Sequence, residues 1–236
     1  DVPGGLDTVR GYRHSAFISN RARVGLNFNN VFLSARMAAQ EISVWGQKKQ
    51  NDSDGARFTM HEAWAQLTHN GYFAKIGRQS LSYDDGRILS ESSWTPTGIW
   101  HDALKMGYEN NHNKLHLILA YNQSREKTNE GTFYEATGQP YQNMQTIWYQ
   151  YRNPTGFTAS ALFINLGFET AEPIADPLHS DKVYMQTMGS NIGFKNDLWQ
   201  IMGTAYYQAG TNRLNEKVNA YMLALRGGYT LSPRFS

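Results

Sequence analysis

Apolar and polar side chains alternate with a period of two residues along most of the chain. Side chains of a β-strand point to opposite faces of the sheet in turn, so this alternation predicts strands with one apolar and one polar face. Asn, Gly and Pro, which favour turns, separate the alternating stretches. The eleven predicted strands lie at residues 16–28, 31–44, 58–69, 71–83, 101–109, 114–126, 144–152, 157–169, 182–194, 198–209 and 217–229.

The two faces are clearest in the first predicted strand. Its apolar face carries Ile18, Ala22, Val24, Leu26 and Phe28. Its polar face carries Ser19, Arg21, Arg23, Gly25 and Asn27. The second strand changes phase between Ala38 and Glu41, as a β-bulge, or departure of the chain from a membrane, would produce. The eighth strand is ambiguous because it has apolar residues on both faces.

The connections between the predicted strands alternate between short and long. The tight connections follow the odd-numbered strands, at residues 29–30, 70–71, 110–113, 153–156, 195–197 and 230–233. The long polar connections follow the even-numbered strands, at residues 45–57, 84–100, 127–143, 170–181 and 210–216. Outer-membrane barrels combine short periplasmic turns with longer extracellular loops, whereas Greek-key sandwiches mix their loop lengths. The sequence therefore predicts an all-β, antiparallel up-and-down transmembrane β-barrel.

Composition and charge agree with this prediction. The 236 residues are 40% hydrophobic, with a mean hydropathy of -0.58 and no apolar run of helical spanning length. A spanning β-strand needs only about 9 to 11 residues, of which every second one is apolar. The net charge of +2 without a basic run argues against a nucleic-acid partner. The absence of cysteine fits an envelope protein without disulfides.

Aromatic residues are frequent, with 14 Tyr, 11 Phe and 6 Trp. Several fall near the ends of predicted strands, where a girdle at the membrane interface would place them. The girdle candidates are Tyr72, Tyr108, Trp148, Tyr149, Tyr151, Trp199, Tyr206, Tyr207 and Tyr229.

The strand count predicts that the barrel continues beyond these residues. Bacterial single-chain barrels have an even number of strands, and eleven is odd. Residues 1–14 read as a loop before the first strand, and residues 232–236 as the start of another strand. The edge amides of an open sheet have no partners in lipid. We therefore expect residues 1–236 to form a single domain that is part of a larger barrel.

Five motifs, taken in order and with their spacing, resemble the alginate-export family of outer-membrane porins. They are FISNRARVGLNF at 17–28, ARMAAQEISVWG at 35–46, HEAWAQL at 61–67, AKIGRQSLSYDDGRI at 74–88 and HDALKMGYE at 101–109. The resemblance is good over residues 15–125 and rests mainly on pattern elsewhere. It implies a large monomeric barrel of about 18 strands. It also implies a porin, since the family's named member passes an anionic uronate polymer through an Arg-lined pore and other members have unknown cargo.

Cations on the polar faces are the candidate pore-lining and anion-binding residues. Fixed positive charge in a narrow lumen raises the local concentration of carboxylate solutes, and the planar fork of Arg matches a carboxylate. The candidates are Arg21, Arg23, Arg36, Lys75, Arg78, Lys105, Arg152 and Arg226. Arg78 shares the parity of Ile76 on the apolar face, and it is included because of its place in the family motif.

A structural role for the same cations is the alternative. Barrel interiors hold Arg and Lys in lattices with acidic residues, and Glu62, Asp102 and Glu109 are the candidate lumenal acidic partners. Only a net positive constriction would favour anions.

Catalytic and metal motifs are incomplete. His61 and Glu62 begin like a zincin helix, but residue 65 is Ala where the second His belongs. There is no Gly-x-Ser-x-Gly elbow. We therefore expect no enzymatic activity, with an outer-membrane lipid-active hydrolase as the enzymatic alternative. No cofactor is expected: NDSDG at 51–55 has spaced carboxylates that suit Ca²⁺, but it lacks the later ligands of a calcium loop, and a solvated turn is favoured.

These observations predict a passive channel for hydrophilic solutes, with anionic, uronate-like solutes as one class of them, in the outer membrane of a Gram-negative bacterium. Its partners would be membrane lipid and the solutes, with turns periplasmic and long loops extracellular. In a second interpretation, segments 84–100 and 127–143 plug the lumen, and the barrel is a scaffold or binding partner for other envelope proteins. A soluble β-protein is the third interpretation.

Overall fold

The computed structural model describes residues 16–46, 57–91, 97–124, 126, 134, 138–170 and 182–230. Eleven strands form one sheet in chain order, each antiparallel to its neighbours. The strands are β1 (Ser19–Asn29), β2 (Leu33–Val44), β3 (Arg57–His69), β4 (Tyr72–Gln79), β5 (His101–Glu109), β6 (Asn113–Tyr121), β7 (Asn143–Arg152), β8 (Phe157–Glu169), β9 (Lys182–Lys195), β10 (Trp199–Thr211) and β11 (Lys217–Tyr229). The predicted all-β, antiparallel up-and-down fold is confirmed. The described part of the chain contains no helix long and apolar enough to cross a membrane.

The predicted alternation of connections is also found. The short connections lie at one end of the sheet, which we call the turn end, at residues 30–32, 70–71, 110–112, 153–156 and 196–198. The long connections lie at the opposite, loop end. Asn shapes the turns: Asn70 and Gly71 both have positive φ, and the Asn196 side chain accepts hydrogen bonds from the backbone N–H groups of Leu198 and Trp199.

Two predicted strands end earlier than expected. The strand predicted at 71–83 ends at Gln79, and the strand predicted at 114–126 ends at Tyr121. Beyond Gln79, the alternating residues Leu81 and Tyr83 are buried in tertiary contacts on one face of the sheet. Alternation alone does not distinguish a strand from a loop that packs its apolar residues.

The two faces of the sheet have different surroundings. One face exposes a series of large apolar side chains, among them Val24, Leu26, Ile76, Leu223 and Leu225. The opposite face is covered by loop-end residues from 80–91 and 138–142, which pack on its buried side chains. A membrane barrel turns its apolar face to lipid, so we call the exposed apolar face the outer face and the covered face the lumenal face.

The strand register gives the sheet the shear of a barrel. The row of paired residues that starts at Asn29, where β1 ends, reaches β11 at Ala220, nine residues before Tyr229 at the turn end. At about 3.3 Å per residue and about 4.8 Å between strands, this is a tilt of roughly 30°. The value is close to the tilt of barrel strands.

A β-bulge lies opposite the predicted phase change of the second strand, but the extra residue belongs to β3 and β2 keeps its alternation. The register between β2 and β3 shifts between Ala38 and Ala39, because Ala38 pairs with Glu62 and Ala39 with Met60. His61 is the extra residue, and it is buried. The ambiguity of the eighth strand has a different cause. Leu162 and Ile164 are lumenal but buried under the loop-end residues, so both faces of β8 need apolar side chains.

The aromatic girdle at the turn end is largely as predicted. Tyr72 and Tyr108 pack on the outer face with ring centroids 4.8 Å apart, and Trp199 and Tyr229 do so at 4.6 Å. Tyr149 and Tyr151 lie at the same end of the outer face. The prediction is wrong for Trp148 and Tyr206, which face the lumen and are buried. Their pattern position near a strand end does not reveal which face they occupy.

A second set of outer-face tyrosines marks the other edge of the apolar band. Tyr121, Tyr207 and Tyr221 each lie eight residues from the turn end of their strand. Eight residues along a tilted strand correspond to about 20 Å in height. The predicted girdle residue Tyr207 therefore belongs to this upper set. The spacing is near the height of about 25 Å for the apolar band of membrane barrels.

Gly77 provides a test of the packing between β3 and β4. Its φ is 118°, and a Cβ atom there would lie 2.2 Å from the carbonyl oxygen of Ala63. We expect Gly77→Ala to lower the free energy of unfolding by at least about 2 kcal/mol, measured by denaturant titration of the protein in detergent. Gly203→Ala is the matched control, because a Cβ at Gly203 meets nothing within 4 Å. Equal stability of the two variants would contradict the expectation.

Candidate functional site: a lumenal constriction and its cations

Residues 80–91 form what we call the constriction segment, which lies along the lumenal face. After β4 it packs three apolar side chains, Leu81, Tyr83 and Leu89, into a cluster with lumenal residues of β5 to β10. The exposed fraction of Leu81 is 1%. Burying a side chain of this size stabilises the contact by about 1.5 to 3 kcal/mol. Alternation would continue the strand through Tyr83, but the chain leaves the sheet after Gln79 and packs on the lumenal face.

Two consecutive carboxylates fix the middle of the segment. Asp84 Oδ1 accepts hydrogen bonds from Trp148 Nε1 of β7 at 3.0 Å and from Ser160 Oγ of β8 at 2.5 Å. Asp84 has a φ of 53°, a conformation that Asp tolerates better than most residues. The carboxylate therefore links the segment to strands that lie more than 60 residues away in the chain.

Asp85 extends these contacts toward the last strands. Its side chain is 1% exposed, and Oδ2 lies 2.7 Å from Arg87 Nε and 3.9 Å from Arg226 Nη2 of β11. The same oxygen accepts a hydrogen bond from Thr204 Oγ1 of β10 at 3.3 Å. Because Asp84 and Asp85 together reach β7, β8, β10 and β11, the constriction segment crosses much of the lumenal face.

Tyr83 anchors the segment nearer the turn end. Its hydroxyl lies 3.0 Å from His116 Nδ1, and His116 Nε2 lies 2.8 Å from Glu109 Oε1. Burial raises the pKa of the Tyr83 phenol, so the hydroxyl keeps its proton. The chain of three polar groups leaves the buried ring nitrogens of His116 with partners on both sides. These contacts hold the segment as a packed, hydrogen-bonded layer on the lumenal face.

Residues 97–100, which lead from the long connection into β5, contact the lumenal side chains of β2 and β3. The carbonyl of Thr97 accepts a hydrogen bond from Gln40 Nε2 at 2.8 Å, and Gln40 is almost fully buried. Gly98 has a φ of 68° and passes so close to His61 that a Cβ atom would lie 2.8 Å from His61 Cε1. Described parts of this one connection therefore contact β2 and β3 as well as β7 to β11.

Two lysines face each other on the lumenal face, and we call them the lysine pair. Lys75 of β4 and Lys105 of β5 are direct cross-strand partners. Like charges in this arrangement repel, so their placement costs stability. The Lys75 ammonium lies 3.6 Å from the centroid of the Trp64 ring, and the Lys105 ammonium lies 5.3 Å from that of Tyr83. Within the described residues, neither lysine is in a salt bridge.

Other predicted cations on this face are engaged by protein groups. Arg36 is paired with Glu62 at 2.5 Å and also donates to Asn27. Arg23 donates from Nε and Nη2 to Oε1 of Gln40. These contacts match the lattice interpretation, in which lumenal cations have polar or acidic partners. The lysine pair differs from both arginines, because no hydrogen bond or salt bridge to a protein group is found for it among the described residues.

The remaining predicted residues lie near the edges of this site. Arg21 and Arg226 are on the lumenal faces of β1 and β11, and Arg152 is lumenal at the turn end of β7. Glu109 is lumenal and contacts Lys114 at 3.0 Å as well as His116. Its direct partners are therefore not the predicted pore-lining cations. The pore-lining roles of Arg21, Arg152 and Arg226 stay predictions.

The lumenal assignment of Arg78 and Asp102 is wrong. Both share the outer face with Ile76 and Leu104, and they pair with each other through Nε at 2.9 Å and Nη2 at 2.8 Å. They lie at the loop end of β4 and β5, where the apolar band ends. Strict alternation places Arg78 on this face, and the positive φ of Gly77 does not change its side. A paired Arg and Asp at this boundary cost less than an isolated charge in lipid.

Sequence reasoning did not find Asp84, Asp85, Trp148 and Ser160 as parts of the site. The available signal was the DDG sequence at 84–86, which indicates a turn but does not show where the turn packs. The described residues contain no group of three or more metal-ligating side chains. The calcium candidate at 51–55 lies outside the described residues.

Comparisons with known proteins give similarity of fold. No protein-family model matches the sequence. No curated protein matches it either. OccAB1 of Acinetobacter baumannii aligns with a TM-score of 0.44 and 11% sequence identity. The alignment covers 82% of this chain and only 60% of the length of OccAB1. A loop-deletion mutant of OmpT, an outer membrane protein of Vibrio cholerae, aligns with a TM-score of 0.45 and 11% sequence identity. That alignment covers 90% of this chain and 80% of the OmpT mutant. A mutant Rh. blastica porin aligns with a TM-score of 0.36 and 10% sequence identity. That alignment covers 89% of this chain and 88% of the porin.

These neighbours are outer-membrane β-barrel proteins, and they do not support the alginate-export family specifically. They also correct the expectation that the chain has no enzymatic activity. The neighbours, OmpT among them, are similar in fold alone, and a barrel fold does not decide between a channel and an enzyme. The exclusion of catalysis from missing motifs therefore does not stand.

Asp84 provides a test of how the constriction segment is held. Asp84→Ala removes the acceptor for Trp148 and Ser160, and hydrogen bonds to a charged group contribute about 1.5 to 3 kcal/mol each. We expect trypsin to cleave after Arg87 at least about tenfold faster in the variant, followed by mass spectrometry of the protein in detergent. Asp197→Ala, at an exposed turn, is the control. Unchanged cleavage would show that Asp84 does not hold the segment.

Proposed function

We propose that the chain forms part of a channel in an outer membrane, through which small hydrophilic anions diffuse passively. The observation that carries this proposal is the lysine pair, which lies on the lumenal face beside the constriction segment and has no carboxylate in direct contact among the residues that the structure describes. Two adjacent ammonium groups repel each other, and an anion that comes close to both of them reduces that repulsion.

The surroundings of the lysine pair strengthen their effect on an anion. Trp64, Phe73 and Tyr83 place aromatic rings near the two ammonium groups, and these rings restrict access of water. Charges interact more strongly where the local dielectric constant is low. Binding must stay weak enough for release, and a pair of lysines without a rigid bidentate geometry suits that requirement.

The location and orientation follow from the same proposal. An outer face with an apolar band between two sets of tyrosines suits a bilayer of outer-membrane thickness. In barrels of this kind the short turns are periplasmic and the long loops extracellular. The constriction segment would then enter the lumen from the extracellular side. Uronates are one class of anion that this proposal includes, in line with the family resemblance.

A plugged barrel that acts as a scaffold is the second candidate. The observation in its favour is that residues 80–91 and 97–100 cover the lumenal face from β2 to β11 in a packed, hydrogen-bonded arrangement. Conductance separates the two candidates, because a plugged barrel passes no ion current.

Ion selectivity tests the role of the lysine pair. The full-length protein is inserted into planar bilayers, and the reversal potential is measured across a KCl gradient. We expect Lys75→Gln combined with Lys105→Gln to lower the ratio of chloride to potassium permeability at least about twofold, because two fixed positive charges leave the lumen.

Lys217→Gln is the matched control, since Lys217 lies on the outer face at the loop end of β11. It should leave the permeability ratio unchanged. Conductance with equal selectivity in all three proteins would remove the lysine pair from the mechanism. Absence of conductance at any salt concentration or voltage would remove the channel proposal and favour the plugged barrel.

A further inference from the structure

A cavity of about 630 Å³ lies at the loop end of the lumenal face. Its walls come from residues 86–90, 97–101 and 138–141 and from lumenal side chains of β7 to β10. The strands supply the apolar side chains Met144, Ile164 and Leu166, and the segment adds Ile88 and Leu89. Neither Lys75 nor Lys105 lines it. Its volume is in the range of small-molecule sites, about 300 to 1,000 Å³.

His101 supplies the first polar group of the cavity. It is 6% exposed, and its Nδ1 atom lies 2.5 Å from the hydroxyl of Tyr141. Burial raises the pKa of the Tyr141 phenol, so this hydroxyl keeps its proton. We assign the hydroxyl as the donor to Nδ1, because no other acceptor for it is found among the described residues. The hydrogen of the neutral ring then resides on Nε2, which becomes a donor.

Thr187 and Gln208 supply the polar floor. Gln208 Nε2 donates to Thr187 Oγ1 at 2.9 Å, and Thr187 is 3% exposed. With its oxygen occupied as an acceptor, the Thr187 hydroxyl keeps its own hydrogen to donate. Arg87 also lines the wall, with 35% of its side chain exposed. His101, Thr187 and Arg87 can thus each offer a donor to the cavity, and Arg87 is a cation whose Nε is paired with Asp85.

We propose that this cavity binds small carboxylates with a compact hydrocarbon body, the body against the Met144, Ile164 and Leu166 side chains and the carboxylate toward Thr187, His101 and Arg87. The apolar walls need a ligand body that gains from leaving water, at roughly 25 cal/mol per Å² buried. The donors need an acceptor, because buried donors without partners are costly. A carboxylate with a hydrocarbon ring meets both requirements, whereas a small carboxylate without the body meets only one.

This site goes beyond the proposed channel, which rests on the lysine pair. If both proposals hold, the cavity selects hydrocarbon-bearing anions before they reach the lysines. If the barrel conducts no ions, the cavity still binds its ligand. The binding test is therefore carried out on the detergent-solubilised protein without a transport assay.

Isothermal titration calorimetry with cyclohexanecarboxylate at neutral pH tests the proposal. Acetate carries the same head without the ring, and cyclohexylamine carries the ring with a cationic head. We expect saturable binding of cyclohexanecarboxylate with a Kd at least about tenfold below that of either comparison ligand. Empty detergent micelles, titrated in parallel, correct for partition of the ring.

Thr187→Val tests the polar floor, and Thr146→Val is its matched control. Thr146 lies in the same row of paired residues, two strands away, and its buried hydroxyl does not line the cavity. We expect Thr187→Val to weaken cyclohexanecarboxylate binding about fivefold through loss of one hydrogen bond, and Thr146→Val to leave it unchanged. Heat-dependent mobility on gels verifies that both variants are folded.

Three results would overturn the proposal. They are no saturable binding of cyclohexanecarboxylate, equal binding of acetate, and an equal effect of the two threonine variants. Equal binding of acetate would place the anion on the lysine pair instead, and that outcome would leave the channel proposal intact. Should Thr187→Val fail to fold, His101→Phe is the second variant, with the same fivefold loss expected.

Discussion

The structure depends on the strict alternation of side chains along strands whose register is fixed. In a β-sheet, a slip of one residue exchanges every side chain between the two faces. Here the register places Val24, Leu26 and Leu223 on the outer face and Lys75 and Lys105 on the lumenal face. A slip in either direction would put ammonium groups into lipid and apolar side chains into the lumen. The apolar outer face and the polar lumenal cations therefore stabilise the same register.

The constriction segment explains why the lumenal face is not uniformly polar. Ile118, Leu162 and Ile164 point toward the lumen, yet they are almost fully buried because loop-end residues cover them. Closer to the turn end and toward β1, the lumenal face carries charged side chains instead. One sheet thus has two kinds of lumenal surface. Apolar side chains hold the segment, and charged side chains remain for contact with water and solutes.

Burial of a charged side chain costs free energy, and the charged residues on the two faces of the sheet differ in the partners that offset this cost. Arg78 and Asp102 neutralise each other on the outer face at the edge of the apolar band. Asp85 is buried on the lumenal side against Arg87, with Arg226 nearby. The lysine pair has no such carboxylate in direct contact among the described residues. This contrast supports a functional role for Lys75 and Lys105 over a purely structural one.

The sequence by itself determined the number of strands, the alternation of turns and loops and most outer-face residues, because each depends on neighbours within a few positions. It placed Arg78 on the apolar face by parity, and only the family motif argued otherwise. Tertiary structure alone decided that Leu81 and Tyr83 leave the strand pattern, that Trp148 and Tyr206 face inward, and that Asp84 contacts β7 and β8. These outcomes depend on contacts between residues far apart in the chain, and a local pattern contains no information about which distant surface a loop will cover.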